Sequence, residues 1–92
     1  RKTQEVYDIC GEILQTIQPP YKEDIIEKVC LKIEKKPEVA KRYEELCEEL
    51  KDRRIVNNWI EQYVMKITGM KSVRQVEAKR SKIIGSYSKL TP

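Results

Sequence analysis

The chain has 92 residues, with 19 Lys/Arg against 15 Asp/Glu and no histidine. That length holds a single hydrophobic core, so one domain over residues 1–92 is expected. The missing histidine removes the commonest general base and metal ligand, and no apolar run approaches the roughly 20 residues of a membrane span.

Helical periodicity runs from about Thr3 to Gln18, where Val6, Ile9, Cys10, Ile13, Leu14 and Ile17 share one face. Gly11 sits among these positions, and a close helix crossing would justify it. Pro19 stops this helix, and Pro20 or Tyr21 opens the second. Its stripe is Ile25, Ile26, Val29, Cys30 and Ile33, with Glu23 and Asp24 at its positive end. Pro37 then imposes a sharp bend and seeds a third helix. Val39, Ala40, Tyr43, Leu46, Cys47 and Leu50 form its apolar face, and its outer face carries Glu44, Glu45, Glu48 and Glu49.

Asp52 is the expected N-cap of the fourth helix. Ile55, Val56, Trp59, Ile60, Tyr63, Val64 and Ile67 form its broad stripe, which predicts that this helix is central. Gly69 suits its left-handed C-terminal cap. Ser72, with Gln75 three residues on, has the pattern of a capping box and predicts a fifth helix over Val73, Val76, Ile83, Ile84 and Tyr87. The expected fold is therefore all-α, a compact bundle of four to five short helices.

Charge divides this chain in two. Residues 1–52 carry ten Lys/Arg and thirteen Asp/Glu, a net −3. Residues 53–92 carry nine Lys/Arg and two Asp/Glu, a net +7. The acidic-leaning helices span 3–52 and the basic ones 53–90. Such asymmetry points to a polyanionic partner.

Trp59 to Ile83 resembles a DNA-binding helix-turn-helix. Gly69 stands as its turn glycine, Met70 follows it, Ser72 starts the recognition helix, and Val64 and Val76 pack inward. The outward face of that helix would carry Lys71, Arg74, Gln75, Lys79, Lys82 and Lys89. Arg53, Arg54, Asn57 and Asn58 form a second basic, amide-bearing cluster at the start of the fourth helix. Arg, Asn and Gln can pair with base edges, and Lys can contact phosphates.

Catalytic equipment is sparse. The glycines stand alone, so no phosphate loop is formed. Cys10, Cys30 and Cys47 lie 20 and 17 positions apart, outside zinc-ligand spacing, and read as small buried hydrophobes. Their odd, dispersed count fits a reducing compartment, cytoplasmic or nuclear. The expectation is a non-enzyme without cofactor or metal that binds nucleic acid, DNA before RNA. The alternative is a protein-interaction module that meets an acidic protein surface or pairs with itself as a homodimer through opposed acidic and basic faces. No membrane role is expected.

Overall fold

The computed structural model describes residues 2–92, so Arg1 of the expected domain lies outside the described residues. Four helices come first: α1 (Lys2–Leu14), α2 (Ile25–Lys35), α3 (Pro37–Leu50) and α4 (Arg53–Thr68). Two strands follow, β1 (Lys71–Glu77) and β2 (Ser86–Thr91). The expectation of an all-α bundle is thus corrected to a mixed fold, four helices with a two-stranded antiparallel sheet.

The helices bury the stripes read from the sequence, with shifted ends. In α1, Val6, Ile9, Cys10, Ile13 and Leu14 are buried. It ends at Leu14 rather than Gln18, because the Thr16 and Ile17 N–H groups turn to carbonyls three residues back, those of Ile13 and Leu14. A β-carbon on Gly11 would meet nothing within 4 Å, so the expected close crossing there does not occur. Residues 21–24 are a loop, and α2 starts at Ile25. The bend at Pro37 is sharp: Lys36 alone separates α2 from α3, and Pro37 opens α3.

Asp52 caps α4 as expected, its carboxylate accepting the Arg54 N–H at 2.9 Å. Gly69 takes the left-handed cap at φ 73°. The most buried helix, however, is α2. Six of its eleven residues are buried, against Val56, Ile60 and Val64 in α4. Trp59 and Tyr63 are only partly covered, Tyr63 packing edge-on to Tyr7 at 5.1 Å, and Ile67 is exposed. The broad stripe of α4 overstates its burial because one flank faces solvent.

The stretch from Ser72 to Tyr87, expected as a fifth helix, lies instead in a hairpin of residues 71–91. Its register pairs Lys71 with Thr91, Arg74 with Lys89, Gln75 with Ser88, Val76 with Tyr87 and Glu77 with Ser86. Ser72 and Gln75 therefore form no capping box, and the helix-turn-helix resemblance fails because its recognition helix is absent. The physical reason lies in what each arrangement buries. A helix across this stretch sets Arg80 on the apolar stripe and leaves α2's buried Glu27 without these donors. The hairpin buries Ile84, Tyr87 and Leu90 and gives Glu27 three N–H bonds. On its other side, β2 is tied to the loop before α2 through the Leu90 N–H, which donates to the Glu23 carbonyl at 3.0 Å. β1 is left as the outer strand. A bulge between Ser72 and Arg74 displaces Val73, which is 59% exposed.

Candidate nucleic-acid interface

The loop of residues 78–85 joins the strands and is held by two carboxylates of α2. Oε2 of Glu27, which is 3% exposed, accepts the backbone N–H groups of Lys79, Arg80 and Ser81 at 2.9, 2.7 and 3.1 Å. Burial alone raises the pKa of this carboxyl. The N–H bonds from Arg80, Ser81 and Lys79, with the Arg80 guanidinium, outweigh it, and the net shift is downward. Two turns on, Glu34 accepts the Ser81 hydroxyl at 2.7 Å and the Lys82 N–H at 3.1 Å. The loop's far end is fixed by a relay in which the Tyr43 hydroxyl donates to Asn57 Oδ1 at 2.6 Å, and Asn57 Nδ2 donates to the Ile83 carbonyl at 2.9 Å. Four successive residues, 79–82, are thereby pinned, with the side chains of Lys79, Arg80 and Lys82 exposed and that of Ser81 turned to Glu34.

The expected site residues separate into three groups. The first is occupied by structural work. Arg53 forms a two-pronged bond to Glu44 at 2.8 and 3.0 Å and lies over the Tyr43 ring, 5.4 Å from its centroid. That bond holds Glu44 below the usual carboxylate range. Arg54 folds back onto the capping carboxylate of Asp52 at 3.2 and 3.3 Å. Asn57 is spent on Tyr43 and Ile83, and Lys89 pairs with Glu23 at 3.0 Å.

The second group is free. Lys71, Arg74, Lys79 and Lys82 are exposed, and none forms an ion pair among the described residues. The third, Asn58 and Gln75, faces a separate groove between α4 and β1, with Arg54, Glu61 and Glu77. Burial raises the Glu61 carboxyl there, partly offset by hydrogen bonds from Ser88.

Cross-strand partners project from the same face of a sheet, so Arg74 and Lys89 stand side by side. Two depressions flank them on that face, sharing Lys22, Glu23, Arg74 and Lys89. One extends to Tyr21, Met70 and Val73, and the other to Lys79, Arg80 and Tyr87. Five cations from four segments therefore surround one shallow trough. Two of them were missed from sequence. Lys22 lay in the acidic half, and Arg80 lay within the expected fifth helix but off its outward face. Arg80 instead reaches Asp24 at 3.3 Å. The spacing of Glu27 and Glu34, seven apart beside the stripe of Ile26, Cys30 and Ile33, was the available sign that α2 reserves a polar edge for a neighbour.

Among the described residues, no three Cys, Asp or Glu side chains gather as a metal site, and no helix is long and apolar enough to cross a membrane. The chain matches no protein-family model, and neither curated proteins nor solved structures give a significant match.

Proposed function

We propose that this chain is a non-catalytic binding domain that takes nucleic acid on the basic face of its hairpin. One observation carries the reading: Lys22, Arg74, Lys79, Arg80 and Lys89 converge on a single trough, although they come from separate segments. Arg74 and Lys79 are unpaired, and the Arg80 and Lys89 pairs are exposed, so each exchanges its carboxylate for a phosphate at little cost. Binding of this kind releases counterions and weakens steeply with salt. The expected basic recognition helix has no place in this reading, and neither have Arg53 and Asn57, whose side chains are already engaged.

The test is fluorescence anisotropy with labelled oligonucleotides at low and moderate salt. Wild-type protein is expected to bind and to weaken as salt rises. The triple variant K22A/R74A/K79A is expected to lose binding, while Arg53→Gln retains it. Absence of binding at low salt contradicts the reading.

A second reading is favoured by the outer edge of β1. The sheet ends at β1, and five of its first six residues are exposed. An open strand edge can accept a further strand from a partner protein or from a second copy of the chain. The bulge at Val73 and the charges of Lys71 and Arg74 interrupt that edge, as devices against unwanted pairing do, which sets this reading second. A single monomer mass in solution at high protein concentration, with no binding of acidic peptides, would remove it.

A further inference from the structure

We infer that the trough on the hairpin seats an unpaired RNA strand rather than a duplex, an inference that rests on the nucleic-acid reading above. Its shape is the first ground. The two depressions share Lys22, Glu23, Arg74 and Lys89, and together run alongside β1 from Met70 and Val73 to Lys79 and Arg80. Seven strand residues at about 3.3 Å each give a path of roughly 20 Å. That length suits a short run of one strand, on the order of four nucleotides.

Duplex recognition asks for the opposite shape, a helix or ribbon that projects into a groove. Here β2 is backed by α2 and α4, with Tyr87, Ser88 and Leu90 buried, so the hairpin cannot be inserted as a free ribbon. A concave path lined with cations admits a narrow single strand.

The second ground is the lining. Single-strand sites combine cations that follow the phosphates with rings on which bases stack. Tyr21 is partly exposed at one end of this trough, beside Lys22 and Arg74. The third ground is the carboxylates. Glu23, Asp24 and Glu77 lie among the cations and repel phosphate. They also accept hydrogen bonds, and a ribose 2′-hydroxyl is a donor that deoxyribose lacks. A path that mixes cations with acceptors suits RNA better than DNA.

Anisotropy titrations against four labelled probes test this inference: a short oligouridylate, an oligothymidylate of equal length, a mixed-sequence DNA duplex and an oligoglutamate peptide. Oligouridylate is expected to bind about tenfold more tightly than the duplex and more tightly than oligothymidylate. Arg74→Gln, at an exposed and unpaired position, is expected to weaken it, as is Tyr21→Leu with its fold checked by circular dichroism. Equal or tighter binding of the duplex overturns the single-strand inference and leaves the nucleic-acid reading standing. Equal binding of oligothymidylate overturns the assignment to RNA. If no nucleic acid binds, both fall, and binding of oligoglutamate alone moves the trough to an acidic protein partner.

Discussion

The Glu27 carboxylate accepts the backbone N–H of Arg80 at 2.7 Å, across 53 residues of chain. This bond and its two neighbours attach the hairpin loop to the most buried helix, and they fix where Lys79 and Arg80 stand. The fold and the proposed interface therefore depend on the same carboxylate.

Glu27→Gln tests that dependence. The amide keeps the size but replaces one charged acceptor and brings donors against donors. Buried hydrogen bonds to a charged group count for more than neutral ones, and the expected loss is about 1–3 kcal/mol. Urea denaturation measures it. Hydrogen exchange is expected to accelerate at residues 79–82 more than in α1, and a uniform acceleration would deny the loop its special link to Glu27.

Acid should reveal the same bond. Glu27 and Glu44 are both held below their ordinary pKa. Such carboxylates contribute fully above the unfolded value of about 4.3 and lose that contribution as pH falls through the folded one. Stability is therefore expected to drop on acidification below about pH 4.3, less steeply in Glu27→Gln. Glu61 has the opposite sign, since its folded pKa is raised. Its contribution is present below the unfolded value and is lost as pH rises through the folded one. Glu61→Gln is expected to stabilise the protein at neutral pH and to give no gain in strong acid. Denaturation curves across pH check both signs.

Gly11 lies inside α1 with open space where a β-carbon would stand. Replacing it with Ala is expected to raise stability by about 1 kcal/mol through helix propensity and lower unfolded-state entropy. A lower melting temperature for Gly11→Ala would mean that α1 packs more closely than the structure describes.

The three thiols should be inert in the folded state. Burial pushes Cys10 up to about 12, raises Cys30 further and also raises Cys47, which keeps them protonated and poorly nucleophilic at neutral pH. A thiol reagent such as Ellman's is expected to react slowly with native protein and promptly with three thiols in denaturant. Rapid native reaction would show a site open to solvent.

The helical part of this fold was legible because each helix writes its burial into a 3.6-residue period, with Pro19, Pro37, Asp52 and Gly69 as local punctuation. The hairpin was not. Val73 and Val76, three apart, mimic a helix face, and Ser72 with Gln75 mimics its cap. The strand pairing is decided elsewhere, by Glu27 and Glu34 on α2, through contacts some 50 residues distant that no local window contains. The site divides for the same reason. Sequence gives the sign of the charge at Arg53, Arg74 and Lys89. Only the fold shows that Glu44 and Glu23 take the first and last of these, and that Lys22 from the acidic half joins the basic trough.

Nuclear magnetic resonance of ¹⁵N-labelled protein titrated with oligouridylate locates the interface directly. The account predicts that shifted amides cluster at residues 21–24, 71–80 and 87–91, with α1 and the outer face of α3 unmoved. Shifts centred instead on Arg54, Asn58 and Glu61, or no shifts at low salt, would contradict it.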